Sequence, residues 1–245
     1  MTDDVGSLTY TVSGTPLSTG TASFPVNIAG SVCTISLIVS PPGCAQTVTF
    51  TYKGETVTYG TVVANGRCWL DRNLGAQQVA TSSLDQEAYG DLFQWGRGDD
   101  GHQNRTSATT TVLSSSDTPG NDLFIISSVQ NGWDWRATEN DNLWQQESGI
   151  NNPCPTGYRI PSEAEWLSLM FTNSNDAFDS PLKLPLAGSR EATDDGVLSD
   201  AGTVGRYWTS TAVGGAARGF GFGSGGTGNG VDERASGRSV RCILD

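Results

Sequence analysis

Few residues in this chain have the types and spacing to do chemistry. His102 is the one histidine in 245 residues. It sits in "GRGDDGHQN", a polar loop, with no serine or cysteine nucleophile signature beside it, so no catalytic triad is expected. Glu163 and Glu165, in "YRIPSEAEW", follow Pro161 and Ser162. They read as first-turn charges of a helix, where the dipole favours anions, rather than as an acid–base pair. Five cysteines, Cys33, Cys44, Cys68, Cys154 and Cys242, show no CxxC spacing, and with one histidine they argue against zinc. Cys33 and Cys44 flank "TISLIVSPPG" and fit a bridge across a turn. Cys154 and Cys242 lie far apart, each beside a core segment, and a bridge there would close a long loop. Free buried thiols are the alternative, and Cys68 is the odd one out. The acidic clusters "GRGDDGHQN" and "EATDDGV" read as solvated loops, with structural calcium as the sharper alternative because hard oxygen ligands on loops suit that ion. The expectation is a protein that is not an enzyme and carries no cofactor other than such a calcium.

The bulk composition narrows the partners. With 26 acidic and 14 basic residues the formal charge is −12, a potential that opposes phosphate backbones and so nucleic acid. No apolar run approaches the roughly 20 residues of a membrane span, so no membrane insertion is expected. The first residues, "MTDDVGS", lack the apolar stretch of a secretory signal. An exported chain would then be a piece of a longer one, or reach the outside by another route.

The elements that must position the side chains fall into two regions. Residues 1–60 are nearly uncharged and rich in Thr, Val and Ser. "LTYTVSG", "TASFPVNIAG", "VCTISLIVS" and "QTVTFTYKGETVTYG" read as short antiparallel strands of a small β-sandwich-like (Ig-like) spacer. From "VVANGRCWLDRNLGA" onward, over 61–245, tryptophans and charges appear and loops lengthen. The clearest helix is "PSEAEWLSLMFTN", with Trp166, Leu169 and Met170 on one buried face. A second is expected over "SSLDQEAYGDLFQWG". The fold class is α+β, with few helices and long loops.

Five ordered segments carry a resemblance. "GRCWLDRNLGA" (66–76), "YGDLFQWGRGDDG" (89–101), "NPCPTGYRIPSEAEWLSL" (152–169), "LKLPLAGSRE" (182–191) and "GRYWTST…RASGRSVRCI" (205–243) resemble the major paralogous domain family named from Fibrobacter succinogenes. That family is similar to the formylglycine-generating enzymes and the C-type lectin-like fold. The same framework resembles the variable proteins of diversity-generating retroelements, in which a C-type lectin-like fold ends in a hypervariable segment. Its borders here are Tyr207, Trp208, Thr209 and Ser210, then Arg234, Ala235, Gly237, Ser239, Val240, Arg241 and Cys242. The resemblance implies a C-type lectin-like ligand-binding domain over 61–245, with Trp69, Trp95, Trp166, Trp208 and Val240 in the framework core. Calcium-dependent sugar-binding motifs are absent, and the tryptophans of "NGWDWRATENDNLWQ" (131–145) read as core.

Between those borders the chain is crowded with glycine, eleven of them from Gly205 to Gly237. In "AARGFGFGSGG" the alternation of Phe220, Gly221, Phe222 and Gly223 has the period of a strand with one buried face. Ala217, Phe220 and Phe222 are expected to face the core, and Arg218, Gly219, Gly221 and Gly223 to face outward. By the resemblance, the variable ligand-binding face spans about 211–238. It comprises Ala212, Val213, Gly214, Gly215, Ala216, Arg218, Gly219, Gly221, Gly223, Gly225, Gly226, Gly228, Asn229, Gly230, Val231, Asp232, Ser236 and Arg238. The partner would be a protein or glycan ligand on a cell surface. The setting would be extracellular, as a surface adhesin or a phage receptor-binding protein on the virion. With few aromatic anchors, single contacts would be weak and multivalent display would compensate. An invariant structural or adhesive module of an exported protein is the alternative, and a cysteine enzyme like the formylglycine-generating ones a more remote one.

Overall fold

The computed structural model describes residues 20–28, 30–39, 41, 43–44, 46–127 and 133–245, together with residues 9 and 11. Among them the chain is mostly β, with two short α-helices. β1 (Gly20–Ile28) and β2 (Ser31–Val39) form an antiparallel hairpin whose described side chains are mostly exposed. β3 (Val48–Tyr52) and β4 (Glu55–Tyr59) form a second, closed by Lys53 and Gly54 at φ 53° and 78°. Both central residues of such a two-residue turn need positive φ to match the strand twist. Tyr52 and Tyr59 of this hairpin are buried with Leu70, Trp95 and Trp208. Packing therefore runs across the boundary expected at residue 60. Most of the first 19 residues of the expected β-sandwich-like region lie outside the described ones.

The remaining strands are short except near the C-terminus. β5 (Thr61–Ala64) and β6 (Arg67–Leu70) join β17 (Ile243–Leu244) and β10 (Tyr158–Arg159) in the order β10-β17-β6-β5. β7 (Phe93–Gln94), β11 (Ser189–Arg190), β12 (Leu198–Ser199) and β16 (Gly237–Arg238) form a second four-stranded sheet, β12-β11-β16-β7. β8 (Thr109–Thr110) and β9 (Phe124–Ile125) make a parallel pair. The longest strands after residue 60, β13 (Val204–Val213), β14 (Ala216–Gly223) and β15 (Gly226–Asp232), form an antiparallel sheet in chain order. The glycine-rich segment is thus regular sheet.

Two aromatic cores meet at that sheet. Trp208 and Ala217 face the first, with Trp95, Trp144, Leu74 and Val240. Tyr207, Phe220 and Phe222 face the second, with Trp69, Trp166, Leu182 and Leu184. Trp69, Trp95, Trp166, Trp208 and Val240 are all buried, as expected of the framework. An indole buried whole needs a partner for its N–H. Here those donors tie distant carbonyls together: Trp208 to Phe93 at 2.7 Å, Trp95 to Thr209 at 2.8 Å, and Trp135 to Trp95 at 2.7 Å. Such bonds hold long loops that no regular sheet would hold. Arg241 does similar work from within. Buried, it donates to the Asn73 carboxamide oxygen at 2.9 Å and to the Leu182 carbonyl at 2.8 Å.

Several expectations are corrected. Helix α1 runs only from Glu163 to Leu167, opened by a capping box in which Ser162 and Glu165 exchange hydrogen bonds. It stops because the chain turns at Met170, where φ is 55°, and Met170 points outward at 81% exposure instead of joining Trp166 in the core. Over "SSLDQEAYGDLFQWG" the helix is reduced to a single 3-10 turn, Gln86–Ala88, and the segment ends in β7. A helix not expected, α2 (Ser174–Asp179), is capped by Asn173. The disulfides join Cys44 to Cys68 and Cys154 to Cys242. Cys33 is the free and exposed cysteine, opposite Val26 in the β1–β2 hairpin, while Cys44 is taken by Cys68. The second bridge is the long-loop closure expected; the first replaces the Cys33–Cys44 bridge.

Candidate ligand-binding face

Strand register decides which face each glycine takes. β14 pairs without interruption to β15, from Ala217 opposite Asp232 to Gly223 opposite Gly226. Along β13 the register runs from Val204 opposite Gly223 to Trp208 opposite Gly219, then breaks before Ala212. Because side chains alternate, one face carries Val204, Arg206 and Trp208 beside Gly223, Gly221 and Gly219, and then Gly226, Gly228 and Gly230. The other carries Tyr207 beside Phe222 and Phe220, with Thr227, Asn229 and Val231 beyond. Arg218 shares the face of Phe220 and Phe222, while Ala217 shares the glycine face. That corrects the placement of Arg218; Ala217 is buried as expected, but in the first core, because a strand buried on both faces at one end buries residues of both parities.

The aromatic face explains how so much glycine stays ordered. Phe220 stacks on Trp166 at 5.3 Å, and Phe222 on Tyr207 at 5.7 Å. Such pairs contribute roughly 0.5–1.5 kcal/mol each beyond their buried area. Phe222 also lies across its cross-strand partner Gly205, where any Cβ would collide with the ring. An aromatic covering a facing glycine helps to hold register in a glycine-rich sheet. Arg218 reaches toward Glu163 of α1, Nε to Oε2 3.6 Å. Asn229 donates to the other oxygen of the same carboxylate at 2.5 Å, and the Thr227 hydroxyl to the Phe171 carbonyl at 3.2 Å.

The opposite face is a groove of about 520 Å³. Its floor is three cross-strand glycine pairs, Gly219–Gly230, Gly221–Gly228 and Gly223–Gly226. Arg206 and Val204 line it from β13, and Asp232 and Arg238 from its buried end. Each arginine is held by one carboxylate: Arg206 Nη2 lies 2.9 Å from Asp200, and Arg238 Nη2 lies 2.7 Å from Asp232. The Arg238 guanidinium also sits 5.1 Å from the Trp208 ring centroid. The Nε atoms of both arginines are buried and have no hydrogen-bond partner. Burial lowers the Arg238 pKa first, opposed by Asp232 and reinforced by Arg206.

The glycines differ in what they tolerate. A Cβ at Gly219 would strike the carboxylate of Asp232, and Gly226 has φ 142°. Gly214 and Gly215, at φ 45° and 83°, form the two-residue turn between β13 and β14, and Gly215 also abuts Glu139. At Gly225 and Gly228 nothing lies within 4 Å of a Cβ, and at Gly221, Gly223 and Gly230 the contacts start at 3.4 Å or more.

The sheet thus brings most of the expected residues together, but on different surfaces. Gly221, Gly223, Gly225, Gly226, Gly228, Gly230, Asp232 and Arg238 border the groove. Arg218, Asn229 and Val231 lie on the aromatic side, and Val213, Gly214 and Gly215 at the far turn, with Ala212 and Ala216 half-buried beside them. Ser236 is a correction: fully buried just before β16, it presents nothing to a ligand. Sequence reasoning missed Arg206 and Val204. Their signal was parity with Trp208, which only the strand assignment makes readable.

His102 is also corrected. It is fully buried, with Nε2 accepting the Gln94 N–H at 3.0 Å and Nδ1 against Asp100 at 2.5 Å. Desolvation lowers its pKa to about 4, against the opposing pull of Asp100, so the ring is neutral near pH 7. Asp100 belongs to this network and to Arg97, whereas Asp194 and Asp195 of "EATDDGV" are exposed. Among the described residues no group of three or more His, Cys, Asp or Glu is placed to hold a metal ion, and no helix is long and apolar enough to cross a membrane. No family model, curated protein or solved structure matches the chain.

Proposed function

We propose that this chain is a non-enzymatic ligand-binding protein of C-type lectin-like architecture, whose β13–β14–β15 sheet is a display surface carried by an invariant aromatic framework. The observation that carries this reading is the division among the glycines. Those against the framework, such as Gly205 under Phe222, leave no room for a side chain, while Gly221, Gly225, Gly228 and Gly230 open onto solvent space. A surface whose residues change while its fold persists needs both kinds. The likeness of the borders, "YWTST" and "RASGRSVRC", to those of retroelement variable proteins supports the same division. Two disulfides agree with an extracellular setting, on a bacterial surface or a virion. There, repeated copies would raise avidity for a cell-surface ligand.

The test is deep sequencing of codons 205–245 across a natural population of the source. Substitutions are expected at 221, 225, 228, 229 and 230, with Gly205, Trp208, Phe220, Phe222 and Arg241 unchanged. Codons at the open glycines as constant as those of the framework would remove the display reading and leave a fixed module.

A further inference from the structure

The parity of β13 fixes where the main-chain groups of β15 point. The Trp208 N–H donates to the Ser239 carbonyl and the Ser239 N–H to the Arg206 carbonyl, so Arg206 and Trp208 turn their main chain away from β14 and Tyr207 turns toward it. In an antiparallel ladder, pairs that exchange hydrogen bonds alternate with pairs that do not. Tyr207 therefore exchanges bonds with Phe220, and Gly219, Gly221 and Gly223 exchange theirs with Gly230, Gly228 and Gly226. That leaves the N–H and C=O groups of Thr227, Asn229 and Val231 along the outer edge of the sheet. All three residues are exposed, and among the described residues no backbone hydrogen bond from outside the sheet reaches them. Edges of this kind are commonly blocked by proline, lysine or a bulge. β15 reads "GTGNGVD" and keeps unbroken register with β14, so it has none of these.

Donors and acceptors repeating at every second residue are matched together by another extended main chain. The surroundings of the edge say which kind. Helix α1 lies beneath the sheet, with Trp166 stacked on Phe220 and Glu163 bonded to Asn229. Leu167, one turn along the same side of α1 as Glu163, is 46% exposed and offers apolar support to a strand beyond β15. Carboxylates surround the edge: Asp232 and Glu233 at its end, Glu163 beneath it, and Asp176, bonded to Thr172 beside Gly226, at its start. Arg238 and Arg218 pair with Asp232 and Glu163, so the excess is negative. A second copy of β15 would bring mostly glycine, threonine and asparagine with the same carboxylates, on a chain of charge −12. We propose that the outer edge of β15 is a strand-addition site for a protein partner, taking an extended basic segment with apolar side chains at alternate positions. This rests on the reading of the sheet as a binding face and adds how it docks: contacts made through the main chain persist when the side chains of β15 change.

Amide hydrogen exchange followed by NMR on the full chain tests it. The probes are short peptides alternating valine with lysine, the same peptides with glutamate for lysine, and the lysine peptide N-methylated throughout, which cannot donate to a ladder. The lysine peptide is expected to slow exchange at Thr227, Asn229 and Val231 by roughly tenfold or more. The glutamate peptide should bind roughly tenfold more weakly, and the methylated one not at all. Val231→Pro removes an outward donor and no bond to β14, so it should melt like the parent and weaken the lysine peptide roughly tenfold. Leu167→Lys, at an exposed position, serves if the proline variant is poorly folded, and should weaken the same peptide by a similar factor. The inference is overturned if no peptide slows the three amides, if glutamate is preferred, if the methylated peptide binds, or if binding survives Val231→Pro in a folded protein. Slowing of those amides with protein concentration alone would also overturn it, by making a second copy the occupant. The population sequencing judges the display reading separately. Variation at the open glycines with no strand addition would keep that reading and discard the docking edge.

Discussion

The carboxylate of Asp232 lies directly over the Cα of Gly219, its diagonal neighbour across the β14–β15 ladder, so that no side chain fits beneath it. The same carboxylate holds Arg238 against Trp208. One glycine therefore connects the exposed groove to the aromatic core. Gly219→Ala is expected to destabilise the fold by about 1–3 kcal/mol, because Asp232 must move and release a buried guanidinium. Gly228→Ala should be neutral or stabilise by up to about 1 kcal/mol, as alanine loses less entropy in a strand. Urea denaturation of the two variants checks this; equal effects would mean that Asp232 adjusts freely.

Stability between pH 4.5 and 6.5 reflects two opposed groups. His102, its folded pKa lowered to about 4 by desolvation, binds protons more readily when unfolded. Its contribution is complete above about pH 6.5 and falls away as the pH drops toward 4. Asp134, raised to about 6 by desolvation, works in reverse. Its contribution is present below about pH 4 and is lost as the pH rises through 6. The wild type should be nearly level across this window. Asp134→Asn removes one side of the balance, and its unfolding free energy should fall by roughly 2–3 kcal/mol from pH 6.5 to 4.5. A level curve for the variant would mean that His102 is not buried neutral.

Glu165 titrates lower. Desolvation is outweighed by Arg159, 2.8 Å away, and by Ser162, holding its pKa at about 2. A carboxylate lowered in the fold stabilises above its unfolded pKa, so this contribution is present above about pH 4.5 and lost toward pH 2. Glu165→Gln should cost roughly 2 kcal/mol at pH 7 and little near pH 2. Ser162→Ala, which removes the cap itself, should cost about 1 kcal/mol. Thermal melts at both pH values separate the two.

The bridge between Cys154 and Cys242 closes a loop with a sequence separation of 88 residues. Chain entropy alone assigns it about 4–5 kcal/mol, against roughly 3.5 kcal/mol for Cys44–Cys68. The double serine variant of the longer bridge should lower the denaturation midpoint more. In the untreated folded protein, alkylation followed by peptide mass spectrometry should label Cys33 alone. Modification of Cys68 would point to a different pairing.

The residues themselves determined the framework. Tryptophans too large to leave in water had to form the core, and "YRIPSEAEW" carries its own cap, so Trp69, Trp95, Trp166 and Trp208 were legible before any fold was known. Local pattern also made Phe220 and Phe222 one buried face. It misplaced Arg218, which shares the face of Phe220 and Phe222, and gave no sign that Ala217 is buried in a separate core, because period-2 alternation assumes one wet face and this strand has cores on both sides at one end. Met170 followed helical spacing yet lies outside, since a left-handed residue ended the helix first. His102 lies in a run of charged and polar letters, and only tertiary packing supplied the Arg97–Asp100 network that buries it. The groove was the least legible part. Its floor is glycine wherever one looks in the segment; what separates the open glycines from the occluded ones is the register of three strands and the reach of Asp232 and Phe222. Those are long-range distances, and no local sequence pattern encodes them.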